Sequence, residues 1–512
     1  MCTENRMDSM GIPDRETGRL GAAAGVAYAL AAAAFWGCKR LSPLAKPPAC
    51  GYDETEYIVL EGFGLDTPVY DFLKRYESSG TARFHMPGHK GDRDFVRAFP
   101  GAGLDITEIA GADSLYEADG ILLESEQNAG ALYGSKTTVF SAGGSTLCIQ
   151  AMLLLTVPRG SKILCGRNAH SSFYNMLALL DLRPVWLLPR FSDGQLVSGT
   201  VETQQVVKAL EENPDAAAVY LTSPDYLGGQ SDVAGIAAVC KTAGVPLLVD
   251  NAHGAHLKFL PGPRGYLDGH PITLGASMCC DSAHKTLPAL TGAAYLHSNL
   301  PVSRQQIKDA MAMFGSTSPS YLILSSLDRL NVYLKERARE DFAALSRMHG
   351  RLCRAAARAG FGLPVPGTDC TKLTLSPRPL GASGPEFAAY LRELSIEPEY
   401  VGPDCVVLLM TPMNSREEFL RLAAALEDFP AGVPLPDSPV EFVLPPVGMT
   451  PAQAAFSAAE HLPVEQSLGR VCAQVKIACP PGVPVVCPGE EITNSVQKLL
   501  QNSGIRTVKV VK

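Results

Sequence analysis

A chain of 512 residues with 46% hydrophobic and 19% charged side chains can bury large cores, which excludes a disordered chain and points to two or more domains. Its net charge of −8 and lack of a dense Lys/Arg tract give no basic field for nucleic acid, so a small-molecule substrate is expected. The 14 cysteines form no CxxC pair and include the neighbours Cys279 and Cys280, a pattern that suits neither zinc nor a disulfide scaffold; no metal and a reducing, cytoplasmic setting are expected.

In chain order, residues 1–66 read as an N-terminal extension. Within it, 20–38 (LGAAAGVAYALAAAAFWGC) is uncharged and barely long enough to span a bilayer, but its alanine and glycine give little hydrophobic drive. It reads as a dispensable extension, with a signal anchor and membrane contact as the alternative. From Thr67 the pattern changes. Short apolar runs (TTVFSAG at 137–143, KILCG at 162–166, PVWLLPR at 184–190, AAVYLTSP at 217–224, VPLLVDNA at 245–252, then TLGASMCCD and GAAYLH) alternate with helical stretches such as 146–156, 201–212 and 233–243. That alternation predicts an α/β fold with a mainly parallel sheet covered on both faces, over 67–340. A long charged helical stretch, 327–360, leads into a smaller α/β region, 341–512, containing TKLTLSP, VVLLMTP and SREEFLRLAAALED. A proline-rich linker precedes the last amphipathic helix.

Ligands of such sheets gather at the carboxyl ends of the strands. Several chemistry-bearing residues fall there: Gly143, Gly144, Ser145 and Thr146 after the first strand, His170 after the second, Asp250 at the end of LLVD, and Ser282, His284 and Lys285 after ASMCCD. A lysine amine that attacks an aldehyde must be partly desolvated, and Lys285 is placed to hold pyridoxal 5'-phosphate. Asp250 suits the ring nitrogen of that cofactor, His170 its ring face, and the glycine turn opening a helix its phosphate. Taken singly, each has an ordinary explanation: a capped turn, a loop aspartate, a structural histidine, a solvated lysine. Their order along one sheet edge sets them apart.

The stretches TPVYDFLKRYESSGTARFHMPGHKGD, RNAHSSFYN, TSPDYLGG, VDNAHGAHL, SAHKTLPALTGAAYLH, STSPSYLILSSLD and PPGVPVVCPGE resemble the Orn/Lys/Arg decarboxylases, from Thr67 to Glu491 and in the family's order. The resemblance implies a fold type I, aspartate aminotransferase-like large domain with a seven-stranded sheet, a smaller C-terminal portion of that family's type, and removal of carbon dioxide from arginine, lysine or ornithine to give a di- or polyamine. It implies that Lys285 carries the cofactor, Asp250 meets its ring nitrogen and His170 stacks on it. Gly144, Ser145, Thr146, Ser282 and His284 would surround the phosphate, and His253 would lie beside the cofactor. Ser316 would reach the phosphate of a neighbouring subunit, in a homodimer or larger homo-oligomer with shared sites. An aminotransferase, an aldol-type lyase or a catalytically silent binding protein of the same fold are the alternatives. Three departures from the family pattern stand out: Ser171 in place of a basic residue, Asp225 in place of a small hydroxyl residue, and Gly315 in place of a larger polar one. The distal cation of the substrate calls for a carboxylate, for which the acidic stretch 113–126 offers candidates.

Overall fold

The computed structural model describes residues 67–188, 199–260, 269–364, 369–436, 442–477 and 483–512. The N-terminal extension and its apolar stretch lie outside these. Among the described residues no helix is long and apolar enough to cross a membrane.

Seven strands form the main sheet: β1 Thr137–Ser141, β2 Lys162–Gly166, β3 Arg183–Leu187, β4 Ala216–Thr222, β5 Leu247–Asp250, β6 Met278–Asp281 and β7 Ala294–Ser298. Their order is β1-β7-β6-β5-β4-β2-β3, parallel except for β7, which runs antiparallel to both β1 and β6. Side chains of successive residues point to opposite faces, and both faces are apolar. Ile163, Tyr220, Leu248 and Met278 enter one core with the helix Gly144–Thr156; Leu164, Val219, Val249 and Cys279 enter the other with the helices Thr203–Glu212 and Val233–Ala243. The helices begin where the sequence supplies caps. Glu202 and Gln205 form a capping box, the Asp232 carboxylate accepts from the Gly235 N–H at 3.0 Å, and Gly244 ends that helix in the left-handed region. Because β7 alone is reversed, the carboxyl ends of β1, β2, β4, β5 and β6 share one edge of the sheet.

The stretch expected as one helix over 327–360 is two, Tyr321–Glu336 and Ala338–Ala359, broken at Arg337. The first packs on the helices Pro68–Ser78 and Ile121–Tyr133, the second on Arg416–Glu427, so the chain turns to aim two apolar stripes at different partners. A second, antiparallel sheet follows, β8 Lys372–Leu375, β9 Tyr400–Val401 and β10 Val406–Leu409, in the order β8-β10-β9. Near the C-terminus the strands Ala459–Pro463 and Thr507–Val511 pair, with the helix Asn494–Asn502 beside a small core of Val485, Val496, Leu500 and Val508. This part is fastened to the main sheet by Arg167, just past β2. Its guanidinium is fully buried and donates to both Glu490 carboxylate oxygens, at 2.6 and 2.8 Å.

Candidate active site

The shared strand edge opens into a narrow cleft, open to solvent, whose lining includes Asn168, His170, Thr222, Tyr226, Asp250, His253 and Lys285. Asp250 ends β5 with its carboxylate buried. One oxygen accepts from the Ala252 N–H at 3.1 Å, the other from the Tyr220 hydroxyl at 3.4 Å. A buried carboxylate held this way keeps its position beside the cleft.

Lys285 lies in the single helical turn Ala283–Thr286 that follows β6. Burial pulls its amine below the usual lysine range, and Asp250 and Glu399 work against that pull. Its Nζ is hydrogen-bonded to His253 Nε2 at 3.1 Å. Burial, reinforced by the charges of Lys372 and Lys285, holds the His253 ring well below the usual imidazole range, so it is neutral at pH 7. The ring packs edge-on against Tyr226, centroids 5.1 Å apart. His170 caps the helix Ser171–Leu179: its Nδ1 accepts from the Ser172 N–H at 3.3 Å and contacts the Ser172 hydroxyl at 2.8 Å, while the ring stays exposed at the cleft.

The turn after β1 forms a small cradle at the start of the helix Gly144–Thr156. Gly144 sits at φ +66°, a conformation that side chains resist, and no atom lies within 4 Å of where its Cβ would be. Its N–H donates to the Gly292 carbonyl at 2.9 Å, which pins the cradle to the loop before β7. Ser145 and Ser282 are hydrogen-bonded through their hydroxyls at 2.8 Å, which places the helix start beside the loop carrying Lys285. His284 Nδ1 donates to the Ala293 carbonyl at 2.9 Å. Thr146 is exposed at the start of the same helix. Gly144, Ser145, Thr146, Ser282, His284 and Ser316 are not among the residues lining the cleft; Ser316 is exposed on the loop between the helices Arg304–Ala312 and Tyr321–Glu336, where its hydroxyl accepts from the Ser318 N–H at 3.1 Å.

The loop after β4 brings Asp225 and Tyr226 to the cleft, and Glu399 and Tyr400 back Tyr226 from behind. The Tyr226 hydroxyl donates to Glu399 Oε1 at 2.8 Å, and Tyr226 meets Tyr400 edge-on at 5.6 Å. The Asp225 carboxylate accepts from the N–H groups of Gly199, Leu227 and Gly229, at 2.9, 3.0 and 2.7 Å. It thus shapes the loop that presents Tyr226, a task the sequence pattern did not suggest. Gly315 has a spatial reason: a Cβ there would lie 1.7 Å from the Tyr116 hydroxyl. The acids of 113–126 do not serve the cleft. The Asp113 carboxylate accepts from four main-chain N–H groups, and Glu126 is buried between Lys308 and Arg304. Tyr226, Glu399 and Lys372 were missed as site residues; only Tyr226 lay within a motif.

The donor set fits pyridoxal phosphate. It combines a desolvated amine, a buried carboxylate, an exposed ring face and a helix start carrying the hydroxyls of Ser145 and Thr146 with Ser282 beside it. Thr222 Oγ1 and Asn168 Oδ1, both buried in the lining, have no protein partner. In sequence, residues 67–346 match the family described as Orn/Lys/Arg decarboxylase, major domain, and residues 440–503 match its C-terminal domain. An uncharacterized Bacillus subtilis protein, YaaO, is 31% identical over 465 residues, 86% of this chain and 95% of that one. The arginine decarboxylase of Bacillus subtilis is 30% identical over 453 residues, covering 84% and 91%. Among solved structures, the constitutive lysine decarboxylase of Escherichia coli superposes with a TM-score of 0.72 at 21% identity, covering 87% of this chain and 82% of that one.

Proposed function

Because the chain belongs to the Orn/Lys/Arg decarboxylase family and is a pyridoxal phosphate-dependent amino-acid decarboxylase, we propose that its substrate is a basic amino acid, arginine first. The observation that carries this reading is Glu399. It is an exposed carboxylate, oriented by the Tyr226 hydroxyl at the cleft wall and close enough to Lys285 to act on its charge. A carboxylate can accept two parallel N–H bonds from a planar guanidinium, and only a point contact from an ammonium. The relatives named for arginine are also nearer in sequence, at 29–30%, than those named for lysine, at 22–23%.

Bound in the cleft, pyridoxal phosphate supplies a sink for the electron pair left at Cα as the carboxylate departs. Lys285 would hold its aldehyde, Asp250 its ring nitrogen, His170 its ring face, and the turn at Gly144 with Ser145 and Ser282 its phosphate. Glu399 anchors the distal end of the substrate, and so fixes which Cα bond stands perpendicular to the ring. Lys285 Nζ and the neutral His253 Nε2, in mutual contact, can hold the proton that Cα takes up once carbon dioxide has gone. As part of the same reading the chain is a cytoplasmic homodimer, each copy extending Ser316 toward its neighbour. The exposure of Ser316, and of Phe84 at 98% and Met86 at 66%, supports this arrangement.

The test is carbon dioxide and amine release from arginine, lysine and ornithine by the pyridoxal phosphate-loaded protein, with Glu399→Gln in parallel. Arginine turnover whose KM rises at least tenfold in the variant is expected. Preference for another amino acid, or a KM unmoved by the substitution, would overturn the assignment. Light scattering of the purified chain and fractionation of cells test the dimer and its compartment.

A further inference from the structure

Lys372 sits inside a protein core, where an ammonium ion is costly. It lies on β8 at 4% exposure, between a buried threonine and a buried leucine, although a methionine would fill the same space. Its Nζ donates to the main-chain carbonyl of Asp225 at 3.1 Å and lies 4.0 Å from Asp369 Oδ2. The other oxygen of Asp369 is 2.9 Å from His256 Nε2, so one carboxylate serves both an ammonium and an imidazole. Asp225, whose carbonyl receives Lys372, directs its carboxylate to the N–H groups of Leu227 and Gly229 on its own loop and of Gly199 on another. Lys372 thereby ties β8 to the residue before Tyr226, whose ring meets His253 edge-on.

We propose that Lys372 is a positioning residue for the reaction: from the second sheet it tethers the Asp225–Gly229 loop against the cleft, and its charge sets the proton occupancy of His253 and Lys285. The groups facing this centre come from every element around it. Lys285 follows β6, His253 and His256 follow β5, and His170 follows β2. Asp225 and Tyr226 lie on the loop after β4, Asp369 lies three residues before β8 begins, Glu399 immediately precedes β9, and His349, on the helix Ala338–Ala359, donates from Nε2 to the Lys372 carbonyl at 2.9 Å. Burial is the largest influence lowering His253, and Lys372 is the foremost charge adding to it. Lys285 in turn feels Asp250 and Glu399, so a cation on the opposite wall offsets two carboxylates.

The test uses the full chain loaded with pyridoxal phosphate and no substrate, with the visible absorption of the bound cofactor titrated against pH. Lys372→Gln keeps a donor for the Asp225 carbonyl and removes the charge; Lys372→Arg keeps both. Loss of a neighbouring cation raises the proton affinity of the groups it faces. The Gln variant is expected to titrate about one pH unit higher than the parent, with the acid limb of kcat/KM moving the same way, and the Arg variant to titrate with the parent. A Gln variant that binds cofactor and titrates with the parent, or an Arg variant displaced as far as Gln, overturns the proposal. Should the Gln variant not fold, Asp369→Asn leaves the charge of Lys372 less balanced and must move the titration downward; no movement, or movement upward, overturns it equally. The spectral measurement needs only that the cleft takes pyridoxal phosphate, so failure of the arginine assignment would not mimic its failure.

Discussion

Replacing Arg167 by methionine isolates the join between the main sheet and the C-terminal segment. The guanidinium is fully buried, donates to Glu490 at 2.6 and 2.8 Å and to the Pro484 carbonyl at 3.1 Å, and lies 5.0 Å from the Trp186 ring centroid and 5.3 Å from that of Phe442. Without it, the Glu490 carboxylate stays at 3% exposure with the Cys487 N–H, at 2.7 Å, as a remaining donor. Removing one partner of a buried pair costs about 3–5 kcal/mol, a large share of the roughly 5–15 kcal/mol that holds an ordinary domain. Methionine preserves much of the stem's packing, so most of the loss comes from the stranded carboxylate. The double variant Arg167→Met, Glu490→Leu removes that charge as well and is expected to recover all but about 1–2 kcal/mol. Urea unfolding followed by fluorescence suits the measurement, because Trp186 is one of two tryptophans and touches the pair. A single variant within about 1 kcal/mol of the parent, or a double variant as unstable as the single, would refute the electrostatic account.

Three further outcomes are expected. Lys285→Ala loses both turnover and the visible band of bound cofactor; a retained band would move the attachment point elsewhere. Asp250→Asn binds cofactor but lowers kcat about a hundredfold or more, since the ring nitrogen then faces a neutral amide; an unchanged kcat would remove Asp250 from the chemistry. Burial raises the Asp328 carboxyl to about 6, even though it accepts from the Val69 and Tyr70 N–H groups and the Ser125 hydroxyl. A carboxyl raised in the folded state is stabilising below its unfolded value near 4, and that contribution is lost as pH climbs to about 6. Thermal stability should thus fall over this window, by at most about 3 kcal/mol from this group, and Asp328→Asn should flatten the fall. The same slope in parent and variant would discount burial as the cause.

The sheet was legible because its strands are buried on both faces and read as short β-branched runs between helical stretches; KILCG and the helix 233–243 were bounded to the residue. The break at Arg337 was not, because no proline or glycine marks it and only the differing partners of the two helices require it. Within the cleft, residues beside a strand end could be named from local pattern, as with Asp250 and Lys285. Glu399 and Lys372 could not. They reach the cleft from a sheet more than a hundred residues away in the case of Glu399, and nothing local distinguishes them from a surface glutamate or an ordinary strand lysine. Asp225 stood out as a departure from the family pattern, and its carboxylate is taken up by the N–H groups of Gly199, Leu227 and Gly229. The acids of 113–126 looked available for a cation, and main-chain amides and buried cations had claimed the foremost of them.

The contact between Arg167 and Glu490 joins residues 323 positions apart. At translation speeds of about 5–20 residues per second, roughly 15–65 s separate the synthesis of its two halves. Through that interval the end of β2 carries a cation with no anion to receive it, three residues before His170. The fastening behind the end of β2 therefore forms long after the strands that frame the cleft. A chain that lacks the Glu490 segment holds every residue lining the cleft without the fastening behind them, and leaves the Arg167 guanidinium without its carboxylate.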